Sequence, residues 1–217
     1  MEDDKRIDQK DAISAGLNEA TIEAMKLIPG LNVLIAGVRK YEEQIENQQR
    51  RAFIEALSSR VSDIEEHFKD EWYTTSEAQE FVTKTAASAL NAEYADKVEF
   101  FANMLLNATR QNLEQMERLK FLEMVRHLSK PALVVLAAVT ELHLSRGSSH
   151  SPQVDDPTSK GQIISNTGFE PLLVAACIDE LRSVGALSSE GFAAQVAGFT
   201  SFTLKFVNFI KDPSDMK

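Results

Sequence analysis

The sequence predicts a mainly α-helical fold, an N-terminal helical bundle followed by an α+β C-terminal domain. Three observations carry that expectation. Glycine and proline are scarce, nine and six in 217 residues, and Ala, Leu, Glu and Gln crowd the chain before Lys130, so helix is favoured there. Ile54, Leu57, Val61, Ile64 and Phe68 step by three and four, which draws one apolar seam along a helix. The tail from Glu170 to Asp212 is ordered differently. An apolar helical run to Val184 is followed by Gly185-Ala186-Leu187-Ser188 and Ala193–Phe199 as strand-like pieces, then by Phe202–Ile210 as a closing helix. Helix, strand, turn, strand and helix is the order of a winged-helix unit.

Residues 1–12 are polar and predict a frayed start. Ile13–Lys26 reads as an amphipathic helix. Ile28-Pro29-Gly30 breaks it, because proline removes a donor and biases its predecessor away from helix. Leu31–Val38 is the most hydrophobic window of the N-terminal half. The stretch Ile22–Val38 is interrupted by Glu23, Lys26, Pro29 and Asn32, so it is too short and too polar to span a bilayer. It reads as a buried hairpin helix, with a membrane- or partner-inserting segment as the alternative. A long helix is expected over about Tyr41–Lys69. The seam from Ile54 to Phe68 is its apolar side and the candidate interface, although burial within the chain would equally explain it. Arg50 and Arg51 lie within helical reach of Glu42, Glu43 and Glu46, which predicts local ion pairs rather than a ligand site.

A loop is expected near Trp72–Thr75, and Thr75-Ser76-Glu77 offers a helix N-cap. Phe81–Leu90 is amphipathic. From Ala92 to about Leu128 the pattern gives one long helix or two in line, marked by Val98, Phe101 and Leu105, then by Leu113, Met116, Leu119 and Leu122. Ser129-Lys130-Pro131 signals the next start, with proline in the first turn. Pro131–Leu144 is apolar nearly all round, which predicts a central place in the C-terminal core. Ser145–Gly168 is rich in turn formers, with only Gln162-Ile163-Ile164 strand-like, and reads as a long mobile loop. The expected domains are therefore an acidic bundle over 1–128 and a winged-helix-like domain over 129–217, with that loop at about 145–168.

Composition narrows the chemistry. The net charge is −10, with 16 Lys and Arg against 24 Asp and Glu in residues 1–127, and 7 against 9 in 128–217. Neither half has the positive excess from which phosphate affinity arises. The single cysteine, Cys177, excludes an intrachain disulfide and lies in an apolar run, so it reads as a buried inert thiol. The charged N-terminus has no apolar signal segment, and a cytoplasmic setting is expected. Asp63, Glu66 and His67 share part of a helix, but no Glu-x-x-His occurs, and Glu123 and His127 stand four apart without further ligands. His143 and His150 flank Ser145, Ser148, Ser149, Ser151, Asp155 and Asp156, yet no Gly-x-Ser-x-Gly supplies a nucleophile elbow. No phosphate-binding glycine loop is present either. No enzyme, cofactor or metal is expected.

As a recognition helix, Glu170–Val184 would need Arg, Lys, Asn or Gln on its exposed face. It offers Glu170, Asp179, Glu180, Arg182 and Ser183, and only Lys205 and Lys211 follow nearby. Protein contact is thus favoured over DNA. Phe202, Phe206 and Phe209 step by four and three and read as core.

The run Tyr94–Ala108, the Ile28-Pro29-Gly30 helix, Gly185-Ala186-Leu187 and Gly198–Ile210 together resemble uncharacterised bacterial helical proteins that end in a winged-helix-like tail. Such tails usually carry Thr-x-x-Gly before the last helix, and Thr200-Ser201-Phe202-Thr203 lacks the glycine. The resemblance implies a setting among mobile-element or phage-defence genes and no particular chemistry. The sequence as a whole points to a non-enzymatic interaction or regulatory module with a protein partner or self-association. A DNA-binding regulator is the first alternative, and a membrane effector using residues 22–38 is the second.

Overall fold

The computed structural model describes residues 43–60, 68, 70–110, 112–145, 157–187 and 201–213. They form eight α-helices: α1 Glu43–Ser58, α2 Ser76–Leu90, α3 Val98–Asn107, α4 Gln115–His127, α5 Lys130–Ser145, α6 Pro157–Thr167, α7 Pro171–Ser183 and α8 Ser201–Ile210. Two 3-10 turns, Glu71–Thr74 and Ala92–Lys97, complete the described elements. The chain divides into two compact units, with the division between Leu119 and Lys120 inside α4; residues from Asp212 onward count with the first unit.

In the first unit α1 packs on α2 and α3, and α2 packs on α3. Phe53, Ile54, Leu57, Phe81, Val82, Phe101 and Leu105 fill the space between them. Tyr73 is fully buried, with ring centroids of Phe68 at 4.6 Å and Trp72 at 5.0 Å, and its hydroxyl donates to the Leu105 carbonyl at 2.7 Å. Burial foremost, then the Asp70 charge, holds that phenol well above its usual titration range. Thr75 caps α2 as its sequence predicts, its Oγ1 accepting from the Ala78 N–H at 3.1 Å.

The expected helix over about Tyr41–Lys69 is described only to Ser58. There Ser58 and Ser59 turn their hydroxyls back onto the carbonyls of Ile54 and Ala56, a local bonding mode that competes with helix continuation. The stretch from Ala92 to Leu128 is not one helix but a 3-10 turn followed by the two helices α3 and α4. Asn91 adopts extended dihedrals and its side chain accepts from the Glu93 N–H at 3.0 Å, which starts a 3-10 turn instead. Helix α3 then stops at Asn107, and α4 begins anew where Glu117 reaches back to the Glu114 N–H at 3.0 Å, half of a capping box.

In the second unit α5 is central and packs against α6, α7 and α8. Its sequence is apolar nearly all round, and Ala132, Leu133, Val135, Leu136, Ala138, Val139 and Leu142 are all buried. Phe121 sits among Phe202, Phe206 and Phe209, with ring centroids 4.9, 5.3 and 5.7 Å away. The Phe202–Ile210 stripe is the helix and core element that its spacing predicts.

The winged-helix-like α+β expectation is overturned, because no strand occurs among the described residues and the fold is mainly α. Gly185-Ala186-Leu187, read as a strand, is the closure of α7. Gly185 takes φ +73°, its N–H donates to the Arg182 carbonyl at 3.0 Å, and the Ala186 N–H donates to the Leu181 carbonyl at 2.9 Å. That is a Schellman motif, and its apolar contact partners Leu181 and Ala186 are both fully buried. Gln162-Ile163-Ile164 lies within α6, so the latter part of the loop expected at about 145–168 is helical. Pro157, read as a turn former, opens that helix at a position where its missing N–H costs nothing. The second strand-like piece, Ala193–Phe199, and the Ile13–Val38 region lie outside the described residues. Among the described residues no helix is long and apolar enough to cross a membrane.

Candidate functional site

Helices α6 and α7 are joined by three residues, Gly168-Phe169-Glu170. Gly168 takes φ +68°, and its N–H donates to the Ile164 carbonyl at 2.8 Å. Thr167 Oγ1 donates to the Ile163 carbonyl at 2.8 Å and accepts from the Phe169 N–H at 3.3 Å. Pro171 then occupies the first turn of α7, pre-set for helix. A three-residue connection with a left-handed glycine turns the chain directly from α6 into α7.

One face of α7 belongs to the core. Val174, Cys177, Ile178 and Leu181 are buried, at the spacing of a single helical stripe. Glu180 adds a polar tether. Its carboxylate accepts from both the backbone N–H and the hydroxyl of Ser129, the latter at 2.7 Å, while Ser129 Oγ accepts from the Ala132 N–H at 3.2 Å. A carboxylate at the N-terminus of α5 also meets the positive end of that helix dipole, so α7 is pinned in register as well as packed. Burial first, and the Glu180 charge second, push the Cys177 thiol above its usual range. With 1 % of its surface exposed, Cys177 is poorly placed to act as a nucleophile.

The other face of α7 is apolar and bare. Leu172 is 86 % exposed and Leu173 40 % exposed, and Ala175 and Ala176 beside them are exposed as well. Two of the four exposed large hydrophobic residues among those described therefore fall on adjacent positions of one helix. Carboxylates border the patch: Glu170, exposed and making no side-chain cap bond, precedes it, and Asp179 follows it. The residues that α7 exposes include no Lys or Arg, and its partly exposed Arg182 lies 3.4 Å from Asp179.

The seam read as a candidate interface behaves differently. Ile54, Leu57 and Phe68 are buried, and Val61 and Ile64 lie outside the described residues. Glu123 and His127 form a local pair: His127 Nδ1 is 2.8 Å from the Glu123 carbonyl and 3.8 Å from its carboxylate, which also takes Arg126 at 2.7 Å. Among the described residues no group of three His, Cys, Asp or Glu could hold a metal ion. Asp63, Glu66, His67 and His150 fall outside them, as do the side chains of Glu42, Glu43 and Glu46 and the segment 22–38. His143 is buried on α5, and the Ser145 hydroxyl donates to the Leu142 carbonyl at 2.9 Å. The structure thus does not assemble the Ser/His/Asp group from its described members.

Sequence reasoning missed the outward face of α7. The signal was present: Pro171–Ile178 is apolar at eight successive positions, wider than one buried stripe can use. The Ser129–Glu180 tether, 51 positions apart, left no local sign. No known protein family, curated protein or solved structure matches the chain.

Proposed function

We propose that the chain is a non-enzymatic interaction module working through protein–protein contacts, with the outward face of α7 as its docking surface. The observation that carries this reading is Leu172, a large apolar side chain 86 % exposed on a helix whose other face is buried and pinned. A rigid helix presenting adjacent apolar residues is a common element of helix-mediated recognition. DNA binding is the alternative reading. The chemistry of the face opposes it, since base and phosphate contacts need donors and cations where α7 exposes leucine, alanine and aspartate. The setting in a bacterial defence or mobile-element system belongs to the proposal and rests on the resemblance of Tyr94–Ala108 and Ile28-Pro29-Gly30.

The test is to place a benzophenone amino acid at position 172 in the full chain, in its native cells, with position 79 as an exposed control. The reading expects a discrete protein adduct at 172 that disappears when Ala176→Glu is added. Adducts to nucleic acid, or no adducts beyond the control, would overturn it.

A further inference from the structure

We infer that Asp212-Pro213, which follows α8, is a releasable strap closed on the first unit by Arg60 and Arg110. Arg60 lies just beyond the end of α1, and its side chain is only 13 % exposed. Its Nε is 2.9 Å from Asp212 Oδ2, and its Nη2 is 3.7 Å from Glu99 Oε2. Arg110 Nη1 donates to the Pro213 carbonyl at 3.3 Å, and Pro213 is buried. Two arginines from distant points of the chain thus hold two successive residues.

The second carboxylate is what makes the strap releasable. Pulling one partner from a sheltered ion pair is normally costly, because the other charge is left uncompensated. Arg60 escapes most of that cost. Its Nη1 stays on the Ala56 carbonyl at 2.8 Å and the Ser59 hydroxyl at 3.2 Å. Glu99, 70 % exposed in the first turn of α3, can close the remaining distance as Asp212 moves into water. The two carboxylates also repel each other across one guanidinium, so each weakens the other's hold. The Arg110 bond, made to a neutral carbonyl at 3.3 Å, is long for its type and adds little restraint. Opening acts on α8 directly. The Lys211 N–H, one residue before Asp212, closes the last turn by donating to the Val207 carbonyl at 3.0 Å. An open strap therefore leaves that turn to fray, and ionic strength sets how often it opens.

The experiment follows amide hydrogen exchange of Lys211 and Asp212 by nuclear magnetic resonance in the full chain, each rate taken relative to the intrinsic rate of its sequence. Asp212→Asn should quicken exchange about fivefold, in keeping with the worth of one partly exposed ion pair. Glu99→Gln should slow it, because release then leaves Arg60 without a stand-in. Raising NaCl to about 1 M, where charges are screened within about 3 Å, should quicken exchange in the parent and not in Asp212→Asn. The amides of Leu57 and Phe101, inside the first unit, should keep their slow rates throughout. The inference is overturned by an unchanged rate in Asp212→Asn, by a parent indifferent to salt, or by a Glu99→Gln variant that exchanges as fast as the parent or faster. Quickening that extends to Leu57 and Phe101 would overturn it too, since the pair would then stabilise the unit as a whole rather than close a strap.

Discussion

Helices α1 and α7 both carry an apolar side, and they dispose of it in opposite ways. On α1, Phe53, Ile54, Ala56 and Leu57 are 3, 4, 7 and 0 % exposed, so the described part of its seam is consumed by packing within the first unit. On α7, Val174, Cys177, Ile178 and Leu181 are consumed in the same way, and Leu172, Leu173, Ala175 and Ala176 are left over. A stripe as wide as its partner surface leaves nothing for another molecule, whereas a run apolar all round has a surplus. The two units differ in charge as well. Residues 120–211 hold 8 Lys and Arg against 8 Asp and Glu, and the remainder of the chain holds 15 against 25. The acidic character thus belongs to the part of the chain outside the unit that carries α7.

Substitutions can break that comparison in graded steps. The largest effect is expected in the shared core logic: Phe121→Ala, which empties the centre of three phenylalanine rings, should cost about 3–5 kcal/mol in urea unfolding. Leu57→Ala, on the consumed side of α1, should cost about 2–5 kcal/mol by the same measurement. A value under about 1 kcal/mol would show that the seam is not packed as described. Glu180→Ala should cost about 1–3 kcal/mol, because the Ser129 donors lose a charged acceptor in a partly buried place. Hydrogen exchange of the first turn of α5 should quicken with it, and unchanged exchange there would deny the tether. Gly185→Ala should cost about 1–2 kcal/mol through the left-handed backbone alone, since nothing lies within 4 Å of the added Cβ.

Much of the helical frame was legible because its signals are local. Thr75, Ser129-Lys130-Pro131 and the Phe202–Phe209 stripe each work through neighbours three or four positions away. The strand reading of Gly185-Ala186-Leu187 failed for a physical reason. A short apolar piece after a glycine has the same composition whether it extends or folds back onto its own helix, and only the Leu181 contact decides. Gln162–Ile164 failed similarly, since two isoleucines favour a strand until Pro157 and the packing against α5 make them helix. The candidate site was legible in part. Periodicity tells which residues share a face of α1 or α7, but which faces the remaining helices cover is a tertiary outcome.

The central claim is that the outward face of α7 is spare to the fold. Its most direct test is the urea unfolding free energy of Leu172→Glu in the full chain. A value within about 0.5 kcal/mol of the parent is expected, because an 86 % exposed side chain has little burial to lose. A loss comparable to that of Leu57→Ala would mean that the chain itself buries Leu172, and the account would be contradicted.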